Sequence, residues 1–176
     1  MYSQKRWIDV MGILCLMAMF VGFIAWTPAA VAEDGVYLLE KGRGLHRVGN
    51  TPAVSPGNLP ENVVDFEITE DGRGVYVLDE TGQIITQGAG RSFKGSDMGA
   101  LRARRMAVSK KGYAVLDELG NVHFGDGQED LGWKVFFGWD IARDIELNSE
   151  GDGLAVLDGF GGLHIKGNLP ELTTPY

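Results

Sequence analysis

Four segments of this chain repeat one pattern, and that repetition limits the fold more than any other feature. GVYLLEKGRGLHRVG from Gly35, GVYVLDETGQIITQG from Gly74, GYAVLDELGNVHFGD from Gly112 and GLAVLDGFGGLHIKG from Gly153 align without a gap. An acidic residue follows each apolar run, at Glu40, Asp79, Asp117 and Asp158, with spacings of 39, 38 and 41 residues. A period near 40 is the length of one small supersecondary unit, and such a unit buries its apolar surface only against its neighbours. The chain should therefore fold as an array.

Each unit has the pattern of short strands joined by tight turns. Val75-Tyr76-Val77-Leu78 and Ala155-Val156-Leu157 are β-branched or apolar runs bounded by Gly and Asp. Asp-x-x-Gly recurs at Asp79 to Gly82, Asp117 to Gly120 and Asp158 to Gly161, where an Asp side chain can cap the turn and Gly can take a positive φ. The first copy has Glu40 followed by Gly42 and Gly44, so its turn should differ. Three copies also have a leading strand upstream: Val63 to Thr69, Arg105 to Ser109 and Asp144 to Asn148. No stretch sustains helical periodicity, and 26 glycines are too many for long helices. The fold class is all-β: hairpins near 35–49, 74–88, 112–125 and 153–167, stacked as a small β-propeller-like domain of about four blades.

In the last repeat, Gly138-Trp139-Asp140-Ile141-Ala142-Arg143 precedes Ala155-Val156-Leu157-Asp158-Gly159-Phe160-Gly161-Gly162-Leu163-His164. These residues resemble a group of bacterial exported proteins with propeller-like repeats of the kind GWDIAR…GYVLDGFGGLHPFG. The likeness is loose over most of the repeat region and good over about 30 residues. It implies an architecture and carries no activity with it. Trp139-Asp140 also spells the WD40 dipeptide, but in one copy only and ahead of the blade's strands.

The N-terminus points to export. Lys5 and Arg6 precede the uncharged run Met11 to Trp26, Thr27-Pro28 break it, and Ala30-Val31-Ala32 supply small residues before Glu33. That order is a secretory signal, so residues 1–32 form a signal peptide and 33–176 the repeat domain. An uncleaved anchor is the competing reading. Cys15 lies inside the apolar run and leaves with it, so neither disulfides nor a thiolate serve the mature chain. The mature chain also has no Asn-x-Ser/Thr acceptor, which fits a periplasmic or secreted bacterial protein. Loss of Lys5, Arg6 and Asp9 leaves 14 basic against 23 acidic residues, a surface that repels phosphate backbones and anionic lipid. Nucleic acid and membrane are therefore excluded as partners. The basic group Arg102, Arg104, Arg105, Lys110 and Lys111 is local to one connection between repeats.

Four sets of residues could carry chemistry. His46, His123 and His164 each lie six residues after the turn carboxylate, with Ile85 in that place in the second copy. Three converging imidazoles could hold a transition metal, but the repeat also explains them as one histidine set beside each turn carboxylate. Asp126 to Asp130 and Glu150 to Gly153 have calcium-ligand residue types without the EF-hand spacing, and turn chemistry accounts for them. Asp65 and Glu67 recur as Asp144 and Glu146, and this repetition favours a structural role over a tuned catalytic pair. No cofactor is implied. The aromatic group Trp133, Phe136, Phe137 and Trp139 is the better functional signal. Trp133, Phe137 and Trp139 are the candidate ligand-binding residues, unless the group only fills the wedge between two blades. The expected function is a non-catalytic module that binds a protein or glycan of the cell envelope. A lectin-like sugar binder is the alternative, and a propeller glycan hydrolase or lyase the more distant one.

The first hairpin has no leading strand of its own. Gly57-Asn58-Leu59-Pro60-Glu61 runs into Val63, and Gly167-Asn168-Leu169-Pro170-Glu171 repeats it near the C-terminus. Leu172 to Thr174 is thus expected to pair beside Val36 to Leu39 and close a four-bladed ring, and an open half-ring pairing with a second chain as a homodimer is the alternative. Sequencing the exported protein from its N-terminus should return Glu33 first. Retention of Met11 to Trp26 would make it membrane-anchored instead.

Overall fold

The computed structural model describes residues 35–170 apart from 41–43, 52 and 55–56. The signal segment 1–32 and the expected closing strand Leu172 to Thr174 lie outside the described residues. Within them the chain is all-β, with no helix and hence none able to cross a membrane. Eleven strands occur in order: β1 (Gly35–Glu40), β2 (Gly44–Gly49), β3 (Val63–Ile68), β4 (Gly74–Asp79), β5 (Ile84–Gly88), β6 (Ala103–Val108), β7 (Tyr113–Asp117), β8 (Val122–Gly125), β9 (Ala142–Leu147), β10 (Gly153–Asp158) and β11 (Leu163–Gly167). They form four separate antiparallel sheets, β1-β2, β3-β4-β5, β6-β7-β8 and β9-β10-β11. The sheets coincide with the four sequence repeats, and β3, β6 and β9 are the leading strands.

Period-two alternation assigns each middle strand two neighbours, because successive side chains point to opposite faces. On β4, Val75 and Val77 face back to the first sheet, packing with Tyr37, Phe66 and Val63. Tyr76 and Leu78 face forward, meeting Met106, Tyr113 and Val115 of the third sheet. The same division recurs one unit on. Ala114 and Leu116 of β7 face forward onto Ile145, Leu154 and Val156 of the fourth sheet. Leu78 and Leu116 are fully sealed, and burying each contributes about 2 kcal/mol. Three cores thus fill the three joints between successive sheets, and the leading strands β3, β6 and β9 lie side by side along them.

Hydrogen bonds cross these joints as well. The Asp65 carboxylate is fully buried and its Oδ2 accepts the Met106 N–H at 2.8 Å, so a strand of one sheet is tied to the next. Ala103 N–H donates to the Glu80 carbonyl at one end of the array, and Lys110 N–H to the Ser149 carbonyl at the other.

Both ends of each three-stranded sheet are finished by side-chain caps. At one end Asp79, Asp117 and Asp158 each accept two backbone amides in the same geometry: Thr81 and Gln83, Leu119 and Asn121, Phe160 and Gly162. Gly82, Gly120 and Gly161 hold positive φ in these turns. At the opposite end, the residue after each leading strand caps the following turn. Thr69 Oγ1 accepts the Gly74 N–H, Ser109 Oγ the Lys111 N–H, and Asn148 Oδ1 the Asp152 and Gly153 amides. Asp71 caps its turn as well, accepting the Arg73 N–H and the Thr69 hydroxyl, and Asp152 accepts from the Asn148 side chain.

Burial alone would raise the Asp117 carboxyl, but donation from His123, Asn121 and two backbone amides holds it below the usual carboxylate range. Asp117 therefore binds a proton less readily folded than unfolded. Its contribution is complete above the unfolded value of about 4 and is lost as pH falls through the lower folded value. Urea midpoints should fall as pH drops below about 4, and Asp117→Asn should flatten part of that slope while lowering stability at pH 7.

Candidate functional site

The expected aromatic site divides in two. Trp133 and Phe137 are half-buried against the core between the third and fourth sheets. The Trp133 indole N–H donates to the Gly120 carbonyl at 2.8 Å. Phe137 donates its backbone N–H to the Leu119 carbonyl at 2.7 Å, and its ring lies 5.1 Å from that of His164. A Cβ at Gly120 would run into the Phe137 ring, so the turn glycine and the aromatic wedge require each other. These two residues anchor the connection between sheets. Trp139 and Phe136 behave differently, at 74% and 62% exposed.

A third exposed ring accompanies them. Phe160, 88% exposed, stands at the tip of the β10–β11 turn, where the second and third units have Thr81 and Leu119. The sequence signal for it was this aromatic in a turn position, and the repeat alignment passed over it. Its turn is linked to the 138–143 segment through Arg143. Gly159 packs against the Arg143 guanidinium, and that guanidinium donates to the carbonyl of Asp140, the residue after Trp139, at 3.1 Å.

A β-bulge builds the polar part of this end. In each three-stranded sheet the register skips one residue near the start of the leading strand: Val64, Arg104 and Arg143. A bulge leaves its extra residue outside the ladder and re-aims the side chain. Arg104 accordingly reaches both Glu118, at 3.5 Å, and Asp140. Arg143 lies 3.7 Å from the other Asp140 oxygen. Two guanidiniums and two carboxylates thus form a chain across the third and fourth sheets, and the exposed Trp139 immediately precedes its central Asp140. Fixed charges of both signs beside open aromatic faces can hold a ligand by stacking and by directed hydrogen bonds.

The other candidates are placed as follows. His46, His123 and His164 do not converge. Each sits in its own hairpin against its own turn carboxylate: Glu40 at 3.2 Å, Asp117 at 3.0 Å and Asp158 at 2.9 Å. Among the described residues no group of three or more His, Cys, Asp or Glu is arranged to hold a metal. Asp65 and Asp144 lie on strands separated by β6, with Arg105 between them: its Nη1 donates to the Val64 carbonyl and its Nε lies 3.9 Å from Asp144. A shallow cleft of about 410 Å³ runs along β8, lined by Lys94, Asp97, Tyr113, His123 and Asp126. Asp126 there holds a φ of 53° and accepts the Lys94 N–H at 3.0 Å, which pins the 91–97 segment to the sheet.

No family model matches the chain, and no curated protein matches it in sequence. What the fold defines is a class: a linear series of small antiparallel sheets, each made by one repeat.

With each imidazole engaged by its own carboxylate, adding Zn²⁺, Ni²⁺ or Cu²⁺ should leave the thermal midpoint of the protein unchanged beyond weak surface effects. A rise of several degrees that is absent from His46→Ala, His123→Ala and His164→Ala variants would contradict this.

Proposed function

We propose that the protein is an exported, non-catalytic binding module, a β-propeller-like array that grips a protein of the cell envelope through one aromatic end. The observation that carries this reading is the exposure of Phe136 and Trp139 on the connection between the third and fourth sheets and of Phe160 in the β10–β11 turn, which Arg143 links to that connection. Large rings left in water at one place are costly unless something covers them, and aromatic and arginine side chains are the usual anchors of an interface. Their charged neighbours are balanced, Arg104 and Arg143 against Glu118 and Asp140, so the patch selects by geometry rather than by net charge. The basic, apolar and small-residue order of the first 32 residues supports export.

A lectin-like role is the second reading. An indole beside a carboxylate and a guanidinium can stack on the apolar face of a sugar while the charges take its hydroxyls.

The test is a pull-down from envelope extract together with a glycan array, each run with the parent protein and with Trp139→Ala and Phe160→Ala. Both variants should fold normally and lose about tenfold or more in affinity. Retention by envelope protein supports the first reading and a glycan signal the second. Variants that bind as tightly as the parent would remove the aromatic end from the argument.

A further inference from the structure

Among the described residues the face-sharing rule of the array leaves two faces without a neighbour, and they are of the two kinds that meet at every joint inside the chain. The fourth sheet's forward face presents Ala155 and Leu157 from β10, with Ile165 and Leu163 paired beside them on β11. Leu157 and Leu163 are each 38% exposed and Ile165 is 44% exposed, whereas Leu78 and Leu116, at the position of Leu157 in the second and third units, are fully buried. The polar residues of this face repeat as well. Asp144 and Glu146 stand where Asp65 and Glu67 are sealed in the joint between the second and third sheets. At the other end of the series, the first sheet's rear face presents Val36 and Leu38, paired with Val48 and His46. Val48 is 59% exposed. Val75 and Val77, which hold the places of Val36 and Leu38 in the second unit, are buried against the first sheet.

We infer that the forward face of the fourth sheet seats the rear face of the first sheet of a second copy of this chain. The second copy's fourth sheet covers the first copy's first sheet in return. Three such joints already exist within one chain, and the proposed contact continues that series using residues at the same positions. The three apolar cores lie between successive sheets, and among the described residues none joins the fourth sheet to the first. A forward face meeting a rear face is a heterologous contact, which closes when the rotation per copy allows and otherwise propagates. Two copies related by a two-fold axis bury both open faces of each chain and leave no end. This inference is separate from any ligand at Trp139 and Phe160.

The full chain, expressed with its own leader and recovered after export, is measured by light scattering. The expected mass is twice that of one chain. Leu157→Asp and Val48→Lys change exposed positions, so each should keep the parental circular dichroism spectrum while its mass falls to half. Mixing the two variants in equal amounts should restore a dimer fraction, because one joint of the mixed pair retains two unaltered faces. A monomeric parent would overturn the inference in favour of a ring closed within one chain. A Val48→Lys variant that stays dimeric would show like faces pairing, and a ladder of masses above two would show an open filament. A mixture that stays monomeric would also overturn it.

Discussion

Everything in this structure depends on the inability of one repeat to bury itself. A sheet of two or three short strands has two apolar faces and no interior, so a single unit has little stability in water. The chain meets this by dividing each middle strand between two neighbours, odd positions to one side and even positions to the other. Tyr76 and Leu78 go forward, while Val75 and Val77 go back. That one choice fixes the order of the sheets, the burial of β4 and β7, and the position of the leading strands at the joints. A slip of one residue in any middle strand would exchange its two faces and misdirect both cores at once.

Capping then supplies what apolar packing cannot. Close turns leave backbone amides without ladder partners, and buried amides are costly when unpaired. The turn carboxylates answer this at one end and Thr69, Ser109 and Asn148 at the other. The histidines belong to the same system, each closing on the second oxygen of a carboxylate whose first oxygen holds the turn in the last two units. The six-residue spacing left open a converging metal site as well as one histidine beside each turn carboxylate, and the second arrangement is the one found. The same spacing is explained within a single hairpin, where six residues bring the chain back across the strand pair.

Much of the architecture was legible in the sequence because it depends on local, repeated signals. Period two, Asp-x-x-Gly and a spacing near 40 gave the hairpins, the leading strands and the all-β class. The site was less legible. Trp133, Phe137 and Trp139 read as one cluster, but burial separates them, because Gly120 and its carbonyl draw Trp133 and Phe137 into the joint while Trp139 follows Gly138 outward. The arginine chain was missed for a different reason. A bulge is one additional residue in a strand, and nothing in the composition of Ala103-Arg104-Arg105 or Ala142-Arg143-Asp144 announces which residue the ladder will skip.

The bulge has a consequence for how such a chain can diversify. The skipped position belongs to no ladder, so its side chain is set by what surrounds it at this end: Val64 packs beside the core of the second joint, while Arg104 and Arg143 pair with Asp140. Across the three bulged units it is already a valine once and an arginine twice. Each three-stranded unit therefore carries, on a common end of the array, one position that no strand partner fixes. A fold of this kind keeps such positions out of its ladders, so its end surface can differ in chemistry from one unit to the next.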